Sequence, residues 1–111
     1  MVKKITREDI KQKYDNRDSM IVIEALPGKY YDSGHLPGAV NIPHTEIREK
    51  ATRLLPDKNV SIIVYCANTE CRNSSLAARE LDELGYLNVF EYMEGKKDWL
   101  EAGLPVEKSR L

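Results

Sequence analysis

Two short apolar runs, Ile21-Val22-Ile23 and Ser61-Ile62-Ile63-Val64-Tyr65, constrain this chain more than anything else in it. Neither alternates apolar with polar residues. A strand with one wet face alternates, whereas a strand covered on both faces stays apolar throughout. Runs of this kind therefore ask for a helical layer on each side of a sheet, and helical patterns do lie between them. Thr6 fits an N-cap with Asp9 at the capping-box position. Ile10 and Tyr14 follow at helical spacing.

The rest of the chain continues the alternation. Residues 2–5 suit a short strand, and residues 29–33 at most a turn of helix stopped by Gly34. Residues 39–42 suit another strand closed by Pro43. Thr45 is placed to cap a helix that reaches Leu55 and stops before Pro56. Ser74 or Ser75 is placed to cap the clearest helix, with Leu76, Ala77, Leu81 and Leu84 as its apolar face and Gly85 just past its end. Residues 88–92 suit a strand, and residues 96–102 a last helix ending at Gly103 and Pro105. Strand and helix alternating through short connections predict an α/β fold with a mainly parallel sheet. A length of 111 residues suits one domain, 1–111, large enough to bury a core without disulfides.

Seventeen basic residues against 18 acidic ones, with the signs interspersed, give no electrostatic case for nucleic acid or for a membrane surface as partner. The basic N-terminus lacks the apolar stretch of a signal peptide, and the expected location is the cytoplasm. Two cysteines do not make a disulfide scaffold. Cys66, Cys71, His35 and His44 lack the close spacings of metal ligands, so no metal and no cofactor is expected.

Both cysteines fall in "YCANTECRNSS", at the junction between the Ser61–Tyr65 strand and the following helix. In open α/β sheets ligands sit beyond the carboxyl ends of the strands, which marks this turn as functional ground. Unpaired N–H groups at a helix start stabilise a thiolate or an anion delivered to it. Cys66 is the candidate nucleophile, and Ala67, Asn68, Thr69, Glu70, Cys71 and Arg72 form the candidate anion-binding loop. Cys71 is a candidate resolving thiol that forms a disulfide with an oxidised Cys66. Plainer readings stay open: Cys66 filling space, Arg72 facing solvent, Ser74 and Ser75 only capping, His35 and His44 only structural.

Two longer motifs carry a family resemblance. "YYDSGHLPGAVNIP", Tyr30 to Pro43, is similar to the E-Y-x-x-G-H-I-P-G-A-x-x-I-P signature of single-domain rhodaneses, a sulfurtransferase family. The stretch from Val64 to Val106 resembles that family's run from its active-site strand to W-x-x-A-G-x-P-V. The resemblance implies a rhodanese-like sheet of five strands, mainly parallel, with helices on both faces. It implies that Cys66 carries sulfur as a persulfide surrounded by the backbone amides of residues 67–71. The implied partners are a small sulfur donor, thiosulfate or a persulfide, and a thiophilic acceptor, which could be a protein thiol. Departures keep two alternatives in view. The loop C-A-N-T-E-C-R is one residue longer than the family's C-x-x-G-x-R and has no glycine, a length resembling rhodanese-fold phosphatases and arsenate reductases. Those usually place His before the Cys, where this chain has Tyr65. Glu24-Ala25-Leu26 stands where Asp-Val-Arg is frequent, and "EGKKDW" has lysine where a second glycine is common. Those changes suit a non-catalytic binding module, or one switched by Cys66 and Cys71.

Overall fold

A computed structural model describes residues 1–108, so residues 109–111 of the expected domain lie outside the described part. Five strands, β1 (Lys3–Lys4), β2 (Ile21–Glu24), β3 (Val40–Asn41), β4 (Ser61–Tyr65) and β5 (Asn88–Tyr92), form one sheet in the order β1-β5-β4-β2-β3. Every pairing between these strands is parallel. The two runs that lacked alternation, β2 and β4, are neighbours in the middle of the sheet, with Glu24 level with Tyr65.

Four helices connect them, α1 (Arg7–Asp15), α2 (Gly28–Ser33), α3 (Ile47–Leu54) and α4 (Asn73–Glu83), and α5 (Gly95–Glu101) follows β5. Side chains along β4 go alternately to two cores. Ile62 and Val64 join Ala51, Ala77 and Leu81 of α3 and α4, while Ile63 and Tyr65 join Ile10 of α1 and Trp99 of α5. A continuously apolar strand is thus a two-sided strand.

Local signals worked where the cap is a side chain. Thr6 caps α1 with a complete capping box through Asp9. Two expected caps are corrected. Thr45 caps no helix; it lies in a short 3-10 helix, His44–Glu46, which runs straight into α3. Ser74 and Ser75 sit inside the first turn of α4, whose N-cap is Arg72, and their hydroxyls bond elsewhere. The apolar face of α4 is also shifted by one residue: Ala77, Ala78 and Leu81 are buried, whereas Leu76 is exposed. His35 is structural, stacked on Tyr31 with centroids 3.7 Å apart and paired through its backbone with Glu107. Among the described residues no helix is long and apolar enough to cross a membrane.

Candidate active site

Cys66 follows β4 directly, at the carboxyl edge of the sheet where the chain turns toward α4. The connection from β2 leads outward to β3 and that from β4 leads the other way to β5, so the crevice between β2 and β4 is a topological switch point. Cys66 is only 1% exposed, although it lies in a loop.

Its sulfur is covered by Cys71 and Ser74, and α5 packs behind its backbone. The carbonyls of Cys66 and Ala67 accept the N–H groups of Lys96 and Lys97, at 2.9 and 2.8 Å. These are first-turn donors of α5, whose N-cap Glu94 makes no side-chain cap. The loop therefore satisfies the start of α5 in place of a cap. So close an approach leaves no room for a Cβ at Gly95, where one would lie 2.6 Å from the Cys66 carbonyl oxygen, and its φ is +71°. Gly95→Ala is expected to destabilise the fold by at least about 2 kcal/mol, from left-handed backbone strain plus displacement of the loop. Urea denaturation checks this, and a midpoint equal to the parent's would show that the loop moves aside freely.

The two sulfurs of Cys66 and Cys71 are bonded, with Cα atoms 6.3 Å apart, inside the range that needs no backbone movement. The loop closes this gap by a turn organised by Asn68. Its carbonyl accepts the Cys71 N–H at 3.1 Å, and its side-chain oxygen accepts the Glu70 N–H at 3.0 Å. The expectation that all amides of residues 67–71 ring the sulfur is corrected here, because those two point back at Asn68. The Glu70 side chain is exposed, as is Arg72, and Arg72 makes no ion pair among the described residues.

Behind the sulfur, the Ser74 hydroxyl lies 3.4 Å from Cys66 Sγ and donates to Glu91 Oε2 at 2.9 Å. Ser75 donates to the same oxygen at 2.6 Å. An acid on an inner strand of a covered sheet needs partners, and the start of α4 supplies both hydroxyls and a favourable dipole. Ser74 spends its proton on Glu91, so it faces the sulfur with lone pairs.

A second buried cluster holds the floor of the crevice. Glu24, fully buried at the end of β2, accepts from Tyr65 at 2.7 Å and forms an ion pair with the Lys96 ammonium at 3.0 Å. Lys96 also donates to the carbonyls of Tyr30 and Gly34, at 2.7 and 2.6 Å, and so ties α2 to α5. Tyr65 in turn accepts the Leu36 N–H at 3.0 Å. Burial and the neighbouring Glu24 carboxylate push the Tyr65 phenol well above its ordinary pKa, so it stays a donor. The residue before Cys66 thus points to the face of the sheet opposite Ser74. Tyr65 supports the floor and does not line the loop.

Reading the sequence missed Glu24, Lys96, Glu91 and the hydroxyl of Ser74. The usable signal was an acid within or ending an apolar strand, at Glu24 and Glu91. The fold brings together Cys66 and Cys71 as expected, and His44 lies in the 3-10 helix before α3. Among the described residues no group of three His, Cys, Asp or Glu side chains could hold a metal ion.

Beside the loop lies an open groove of about 700 Å3, lined by Leu26, Tyr30, Ala67, Asn68, Lys96 and Lys97 among others. A smaller hollow of about 310 Å3 on the other side is lined by Thr69, Cys71, Arg72, Ser75, Arg79 and Glu91.

This geometry has close counterparts. The chain is 41% identical over 76 residues to Thiosulfate sulfurtransferase PspE of Escherichia coli, spanning 68% of this chain and 70% of that protein. It is 31% identical over 98 residues to YrkF of Bacillus subtilis, covering 88% of this chain but 51%, about half, of that relative's length. The crystal structure of BH2092 protein from Bacillus halodurans superposes with a TM-score of 0.88 at 27% identity, covering 96% of this chain and 77% of that one. The family model described as Rhodanese-like domain matches residues 6–102, from the cap of α1 through the end of α5. With the sheet and nearly the whole chain in agreement, the protein belongs to the rhodanese-like family of sulfurtransferase domains.

Proposed function

We propose that this chain moves sulfane sulfur from an anionic donor, thiosulfate or a persulfide, to a thiophilic acceptor through a persulfide on Cys66. The observation that carries this reading is the position of Cys66: at the carboxyl end of the central strand, beside the start of α4, in a loop that resembles the family's active-site loop. The name of the Escherichia coli relative, a thiosulfate sulfurtransferase, supports the same donor class.

In the first half-reaction the reduced Cys66 thiolate attacks the outer sulfur of thiosulfate. The new Sγ–S bond forms as the S–S bond of the donor breaks, and sulfite leaves with the bonding pair. The persulfide is then attacked at its outer sulfur by the acceptor, which restores the Cys66 thiolate. Arg72, exposed at the head of α4, is the cation available to guide the donor, since its guanidinium can hold two oxygens of the sulfonate end. The groove lined by Lys96, Lys97, Tyr30 and Leu26 is the acceptor's approach.

The Cys66–Cys71 bond favours one other reading, a binding module switched by oxidation with no sulfur transfer. Oxyanion chemistry is supported less, because two of the loop's amides are turned to Asn68 and Glu70 adds negative charge nearby. Sulfite release from thiosulfate, with cyanide as a small thiophilic acceptor, separates these. Sustained sulfite and thiocyanate production is expected; none above the uncatalysed rate would leave the switch as the better account.

A further inference from the structure

The loop of this protein contains a second thiol that the transfer scheme does not use. Cys71 occupies the position immediately before Arg72, in a loop one residue longer than the C-x-x-G-x-R pattern. The Asn68 turn folds it back onto Cys66, to the point of bonding. Cys66 itself is 1% exposed, whereas Cys71 is half-buried and lines the hollow with Thr69, Arg72 and Ser75. Any external acceptor has to reach a buried sulfur. Cys71 is already there, and an attacking group held in place gains a large effective concentration over one arriving from solution.

We propose that Cys71 discharges the Cys66 persulfide as hydrosulfide, which makes the protein a thiosulfate-consuming, sulfide-releasing dithiol enzyme. This inference rests on persulfide formation at Cys66, the reading given above. The Cys71 sulfur attacks Sγ of Cys66, the inner sulfur of the persulfide. The Sγ–Sγ bond forms, the Sγ–S bond breaks, and the outer sulfur leaves with the electron pair. The thiol proton of Cys71 goes with it, giving hydrosulfide. Over both steps two cysteine thiols and thiosulfate become one disulfide, sulfite and hydrogen sulfide. The sulfane sulfur gains two electrons, one from each cysteine sulfur. The next cycle starts when a dithiol reductant opens the disulfide by exchange at the more accessible Cys71. The hollow around Cys71 is the exit for sulfide and the entrance for that reductant.

The test uses reduced, reductant-free protein given one equivalent of thiosulfate, with sulfite and sulfide both measured and the Cys66–Cys71 disulfide mapped by peptide mass. Wild-type protein is expected to release sulfite and sulfide in equal amounts and to end as the disulfide. Cys71→Ser is expected to release sulfite, keep the added sulfur, and yield roughly ten-fold less sulfide or lower still. Wild-type protein that releases sulfite but holds its extra sulfur, with no disulfide, would overturn the inference and leave sulfur transfer standing. Equal sulfide from both proteins would also overturn it. No sulfite from either would remove the persulfide itself, and with it both readings. Cys71→Ala serves as a second variant should the serine disturb the loop, with cooperative unfolding checked on each.

Discussion

Cys66→Ala is expected to reduce sulfite release from thiosulfate to the uncatalysed rate, a loss of at least about 1,000-fold, while the domain still unfolds cooperatively. The chain has one other thiol, Cys71, which could be thought to substitute. It sits five residues later and half-exposed, whereas Cys66 is buried at the end of β4. Stability should fall modestly. Removing one buried sulfur leaves a small cavity, about 1 kcal/mol in a packed site. In the oxidised protein the variant also loses a short cross-link, which the loop-entropy account puts at about 2 kcal/mol. The comparison therefore belongs in reduced protein, with activity and thermal unfolding measured on the same samples. Loss of the cooperative transition would mark Cys66 as a packing residue first.

Lys96→Met should be the most destabilising substitution outside the apolar core, by about 3–5 kcal/mol, because it leaves the Glu24 charge buried without its cation. Glu24 is fully buried, and Oε2 has no hydrogen-bond partner among the described residues, so Tyr65 alone would remain to satisfy the group. The same change frees the carbonyls of Tyr30 and Gly34, which loosens α2 from α5 at the edge of the groove. The double variant Glu24→Gln/Lys96→Met removes both charges, and it should recover a good part of the loss. Urea unfolding of the parent, the single variant and the double variant decides this. A single variant within about 1 kcal/mol of the parent, the level of an exposed pair, would show that Glu24 is better solvated than its burial implies.

Two of the departures from the family's pattern meet in the fold. Glu24 replaces an acid one carbon shorter in the Asp-Val-Arg pattern, and Lys96 comes from "EGKKDW"; they are 3.0 Å apart. Nothing local could pair them, since β2 and α5 are far apart in the chain and meet only in the folded domain. What was legible was whatever depends on near neighbours. The apolar runs gave β2 and β4, and the Thr6 and Asp9 spacing gave the start of α1. Cys66 and Cys71 were legible as a pair because a loop of that length closes on itself. The start of α4 was misread because Ser74 and Ser75 look like caps to any local rule. Their hydroxyls go instead to Glu91, on a strand that reaches them only through the tertiary fold. Leu76 was misread because a helix face is set by the sheet beneath it, and α4 presents its two alanines and Leu81 there.

The central claim is that the sulfur of Cys66 accepts a sulfane sulfur. It is tested most directly by the intact mass of reduced Cys71→Ser protein after brief exposure to thiosulfate, with the modified residue located by peptide mapping. The account predicts a gain of one sulfur atom, on Cys66, lost again on addition of cyanide. An unchanged mass in folded protein, or an added sulfur located anywhere else, would contradict it.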